Sequence, residues 1–117
     1  MTSPLRRRWR LLFALATLVA VVMALLPHPP KVPIDNDKYQ HMLAFGVITI
    51  LSAMAYPTAE LLRIGERLSF LGAMIELVQS IPALHRDCDI RDWIADTLVI
   101  AAVLCVVALN RRRDAAT

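Results

Sequence analysis

The chain has 117 residues and 13.1 kDa, with 57% hydrophobic residues, 20% charged residues, a mean hydropathy of +0.53 and a net charge of +3. A soluble domain is roughly 45–50% apolar, and a globule of this length hides only about two-thirds of its surface, so this much apolar material exceeds what a soluble core can hold. Three Gly and two Cys also exclude a collagen repeat and a disulfide scaffold, the hydropathy excludes a disordered chain, and a membrane protein remains.

Residues 1–10 form a basic N-terminal segment carrying Arg6, Arg7, Arg8 and Arg10. An uncharged stretch follows and predicts a first helix over 11–26. A basic run before an apolar one also describes a signal peptide, with Val22-Met23-Ala24 as a weak cleavage site. Because three further apolar segments lie downstream, the expectation is an uncleaved helix. Ala16, Ala20 and Ala24 recur every fourth residue as a small-residue stripe suited to close helix contact. Pro27, Pro29, Pro30 and Pro33 then end the helix and make a stiff outer linker.

The second helix is predicted over 39–56, with no charge between residues 42 and 56, and Pro57 ends it. Residues 58–65 read as the inner connection. A third helix over 67–81 has one charge inside its apolar run, Glu76, and is short for a span that needs about 20 residues. Pro82 ends it, and a polar outer loop occupies 83–91. The fourth helix, over 91–109, has one charge within 93–109, Asp96. A basic tail covers 110–117. The expected fold is therefore an all-α membrane protein with four transmembrane helices in one small bundle over 11–109.

Of 23 charged residues, 21 lie outside the four apolar runs. An even number of spans puts both termini on one side. With a cytoplasmic N-terminus, nine of thirteen Lys and Arg residues fall inside, among them Arg63, Arg67, Arg111, Arg112 and Arg113. The expected location is the inner (cytoplasmic) membrane, multi-pass, with both termini in the cytoplasm. The basic collar suits anionic lipid, and no basic patch interleaved with aromatics points to nucleic acid. Cys88 in the outer loop and Cys105 deep in helix four are too far apart to pair, and neither signals redox chemistry.

Ionisable groups inside a bilayer cost several kcal/mol and need a partner or a purpose. Glu76 lies six residues before Pro82, about 9 Å from the outer end of helix three. Gln79 shares its face. Asp96 follows Asp92 by four residues near the outer end of helix four, and Asp37, His41 and Phe45 recur at the same spacing at the start of helix two, with Lys38 beside them. In a four-span topology Asp37, Lys38, His41, Glu76, Gln79, Arg86, Asp92 and Asp96 could meet in one outward-facing polar pocket. The same residues could instead form a structural polar lock, and the sequence leaves both open.

Asp37-Lys38-Tyr39-Gln40-His41 with Phe45 resembles the D-K-x-x-H-x-x-x-F opening of the VanZ-like membrane proteins. Glu76-Leu77-Val78-Gln79 is similar to that family's E-x-x-Q, and Arg86, Asp92 and Asp96 to its R-x5-D-x-x-x-N segment, with Asp96 where the family usually has Asn. The resemblance covers residues 37–109. It implies a small integral membrane protein related to one that gives low-level resistance to the glycopeptide teicoplanin, without a settled activity.

The leading expectation is a binding or modulating protein whose outer pocket takes a cell-envelope headgroup, a glycopeptide-related ligand or a partner membrane protein. Lys38 and Arg86 would supply donors for phosphate or carboxylate. The alternative is a membrane-embedded acid/base enzyme acting on a lipid-linked envelope substrate, with His41, Glu76 and Asp96 as candidate catalytic groups. No nucleophilic Ser motif, H-E-x-x-H or phosphate-gripping glycine loop supports it. Scattered oxygen and imidazole ligands do not make a metal site, and no cofactor is expected. The lipid bilayer is the partner the composition requires. Oligomeric state is not encoded in any motif.

Overall fold

The computed structural model describes residues 3–26, 37–84 and 89–116. Ser3 sets the first helix: its side-chain oxygen accepts the Arg6 N–H at 3.1 Å, and Pro4 supplies a backbone already shaped for the first turn. Four helices result, α1 (Pro4–Leu25), α2 (Asp37–Ala55), α3 (Leu61–Gln79) and α4 (Ile90–Ala116), with a short 3-10 turn at Pro82–Leu84. No strand occurs among the described residues.

The helices run further than the apolar stretches that predicted them. α1 takes in the arginine run, α3 begins at Leu61 so that the inner connection is only 56–60, and α4 continues through Arg111, Arg112 and Arg113. Adding a residue to an existing helix costs no new nucleation, and Arg, Leu and Ala are good helix formers. Hydropathy marks where a helix meets an apolar solvent, not where its hydrogen bonding stops.

α2 packs against α1 on one side and α4 on the other, while α3 lies chiefly on α4. The bundle measures 51 × 28 × 25 Å. Phe45, Ile48, Ile64, Leu68, Ile75 and Ile100 form its core with Ala24, and Ala16 and Ala20 pack onto it, so the alanine stripe of α1 faces the bundle. The three glycines sit at helix crossings. At Gly72 a Cβ would stand 3.4 Å from the Phe45 ring and 3.5 Å from Trp93, so a larger side chain would separate α2, α3 and α4.

The core is thin for the apolar content. Among the described residues twenty-three large apolar side chains are exposed, a surface that would aggregate in water and that hydrocarbon solvates without penalty. Pro4–Leu25 and Ile90–Ala115 are long and apolar enough to cross a membrane, and only 6% and 17% of their most apolar stretches are buried. A core helix of a soluble protein would be mostly buried, so these helices point to membrane association. Tyr39–Ala55 is a shorter apolar helix.

At one end of the bundle, arginines from two helices terminate a third. α2 has no basic residue in its own last turn. Arg10 of α1 donates through Nε to the Ala55 carbonyl at 3.2 Å, and Arg111 of α4 donates through Nη2 to the Ala53 carbonyl at 3.3 Å. The Arg10 guanidinium also lies 4.6 Å from the Tyr56 ring centroid, and Phe13 meets that ring edge-on at 6.1 Å. These contacts satisfy carbonyls that a helix end leaves open and place cations at the negative end of its dipole. They also bring the start of α1 and the end of α4 to the same end of the bundle.

Replacing Arg10 or Arg111 with Ala should lower stability by about 1–2 kcal/mol each, from one charged hydrogen bond and, at Arg10, a cation–π contact. Unfolding of the detergent-solubilised protein measures this. Arg112→Ala, at an exposed neighbouring position, is the control and should leave stability within about 0.5 kcal/mol.

Candidate functional site

Five polar side chains are buried among the described residues. Thr49 and Ser52, in the second half of α2, each donate a hydroxyl back within their own helix, to the carbonyls of Phe45 and Thr49. Back-bonding uses their donors locally. The other three gather toward the end of the bundle opposite the arginines. Glu76, Gln79 and Asp96 differ. Their relative exposures are 6%, 2% and 2%, and they come from α3 and α4.

Gln79 donates through Nε2 to the Ala24 carbonyl at 2.8 Å, across 55 residues of sequence. Ala24 lies in the last turn of α1, whose carbonyls have no partner inside the helix. Gln79 therefore closes α1 from outside and ties it to α3. The Val22-Met23-Ala24 segment is thus helical and fastened into the bundle at Ala24.

Glu76 accepts the Asp89 N–H on Oε2 at 3.0 Å. Asp89 immediately precedes α4, so the carboxylate sits at a helix N-terminus, where free N–H groups and the helix dipole both favour an anion. Asp89 in turn accepts Arg91 N–H at 2.9 Å and pairs with Arg91 Nε at 3.3 Å. Asp92 lies in the first turn of α4, half-buried. The start of α4 thus gathers acids from its own chain and one from α3.

Asp96 lies on the next turn from Asp92 and feels the charges of both Asp92 and Glu76. Glu76, Asp92 and Asp96 are therefore neighbours at this end of the bundle. Asp96 Oδ1 is buried with no hydrogen-bond partner among the described residues, as is the Oε1 of Glu76, but Glu76 is tied to the start of α4 through its other oxygen whereas no bond to Asp96 is seen. A deeply buried polar atom without a partner costs free energy and is seldom retained for packing alone. His41, half-buried on the second turn of α2, is not free: it already has a contact. Phe45, one turn further, packs against Gly72 and so fixes this end of α2 beside α3.

The side chains of Asp37 and Lys38, and all of Arg86, His85 and Cys88, lie outside the described residues, as do the prolines of the outer linker. Asp37 and Lys38 belong to the first turn of α2 by backbone. Among the described residues no group of three or more His, Cys, Asp or Glu could hold a metal ion.

Two features escaped the sequence reading. Ser69 and Thr97 bond to each other at 2.9 Å between α3 and α4, and Trp93 Nε1 donates to the Ser69 carbonyl at 3.0 Å. An open apolar groove of about 730 Å³ runs along the same seam. The available signal was the four-residue spacing of Gly65, Ser69 and Ala73 on one helix and of Thr97, Ala101 and Cys105 on the other.

No family model, curated protein or solved structure matches this chain.

The two roles separate by mutation. Gln79→Leu leaves the Ala24 carbonyl unsatisfied and should cost about 1–3 kcal/mol. Asp96→Leu removes an unpartnered carboxylate and should leave stability unchanged or raise it. Unfolding in detergent micelles checks both; a loss of about 3 kcal/mol or more in Asp96→Leu would mean that Asp96 is part of a paired structural lock.

Proposed function

We propose that the chain is a four-span protein of the inner membrane with both termini in the cytoplasm, and that its outer end is a binding site. The reading takes it as a VanZ-like protein. Its ligand would be a cell-envelope headgroup, a glycopeptide-related molecule or a partner membrane protein. The observation that carries the proposal is Asp96: a carboxylate 2% exposed, beside Glu76 and Asp92, with Oδ1 lacking a partner among the described residues.

The topology rests on two supports. The start of α1 and the end of α4 lie at one end of the bundle through the two arginine contacts on α2, and the arginine-rich segments flank that same end. α2 and α3 carry fewer apolar residues than α1 and α4. They complete the bundle as spans because their polar ends find partners on other helices, and α3 accommodates its shorter apolar run by local thinning of the bilayer.

Within the site, Glu76 and Gln79 hold the helices in place and Asp96 faces the ligand. Lys38 and Arg86 supply the cationic donors at the rim, suited to a phosphate or carboxylate. Asp37, His41 and Asp92 complete the outer rim. Binding by such a rim needs no nucleophile and no metal.

Expression of the chain in a glycopeptide-sensitive bacterial host should change teicoplanin susceptibility. Arg86→Ala and Asp96→Leu should abolish that change at equal protein level in the membrane. If both variants act like the parent, the outer end is not the working site. A C-terminal reporter active only in the periplasm would overturn the topology.

A further inference from the structure

The groove between α3 and α4 is separate from the outer acidic site, and its chemistry selects an occupant. Its walls are almost wholly apolar, and it runs along α3 from Leu61 to Ala73. Its floor is low because Gly65, Ser69 and Ala73 face Thr97 and Ala101 across the seam. The Ser69 and Thr97 hydroxyls bond each other, and Trp93 Nε1 is held by the Ser69 carbonyl. With so few polar atoms on its walls, the groove suits hydrocarbon.

One charged residue, Glu66, is on the groove wall, toward its inner end. It is exposed, and Arg63, three residues earlier on the same side of α3, is exposed as well. Neither has an ion-pair partner among the described residues. The apolar run of α3 covers only residues 68–81, so headgroups are drawn inward to the level of these two side chains. Glu66 can accept hydrogen bonds from a primary ammonium, which a quaternary one cannot donate, and Arg63 a turn earlier, with exposed Arg67 beside it, leaves guanidinium for the phosphate. A purely anionic headgroup would leave Glu66 beside a phosphate. A second copy of the chain seated in the groove would bury Glu66 against an apolar helix.

We infer that the α3–α4 groove is a binding site for an inner-leaflet phospholipid with a primary ammonium headgroup, phosphatidylethanolamine by chemistry. Its acyl chain lies over Ser69 and Ala73, its ammonium meets Glu66 and its phosphate meets Arg63. The inference rests on the membrane insertion and the topology proposed above, but not on the outer site.

Trp93 lines the groove and reports on it once Trp9, the other tryptophan, is replaced by Phe. The full chain is placed in phosphatidylcholine vesicles with increasing amounts of phosphatidylethanolamine or phosphatidylglycerol carrying brominated chains. Quenching of Trp93 is then recorded. Brominated phosphatidylethanolamine should reach half-maximal quenching at about fivefold lower mole fraction, the value of roughly 1 kcal/mol for one charge at a membrane surface. Glu66→Gln should merge the two curves, and Ala73→Phe should remove the saturable component for both lipids. Identical curves for the two lipids in the parent overturn the proposal, as does a preference that survives Glu66→Gln. Quenching that falls as protein concentration rises, whatever the headgroup, would show a second copy in the groove and overturns it equally.

Discussion

A helix end packed against its neighbours leaves free N–H and C=O groups that need partners, and this chain supplies them with side chains from other helices. α2 is closed by Arg10 and Arg111, α1 by Gln79, and the approach to α4 by Glu76. Each contact joins elements far apart in sequence. The polar groups that complete the backbone hydrogen bonding therefore also define the tertiary arrangement.

The two ends of the bundle use opposite chemistry for the same purpose. At the end where the chain begins and finishes, guanidinium groups meet carbonyls; at the other, an amide and a carboxylate meet a carbonyl and an N–H. A cation suits the C-terminal end of a helix and an anion suits the N-terminal end. Asp96 breaks this economy. It lies two turns inside α4, past the reach of the free N–H groups, and its Oδ1 closes no helix. Among the described residues no bond to Asp96 completes the fold, which is why the proposed site is centred on it.

Of the polar cluster, the spacing Asp92–Asp96 and Glu76–Gln79 was readable because helical periodicity converts sequence distance into a shared face. The division of labour within it was not. Gln79 and Glu76 look equivalent to Asp96 in sequence, all being polar interruptions of apolar runs, yet the first two are occupied by backbone partners 55 and 13 residues away. The Ser69–Thr97 bridge and the groove beside it were also hidden, because residues of low volume and weak polarity look like ordinary members of an apolar run.

What the sequence by itself determined is the all-helical class, the number of helices and the apolar character that points to membrane association. These depend on local composition, and each residue contributes to them independently of its eventual neighbours. It also marked Glu76 and Asp96 as the two charges inside apolar runs. Only the tertiary structure decided where the helices stop, which of those carboxylates is tied to a helix end, and that an apolar groove opens between α3 and α4. Those outcomes depend on which helix stands beside which, and a hydrogen bond between distant residues leaves no trace in the periodicity of either one.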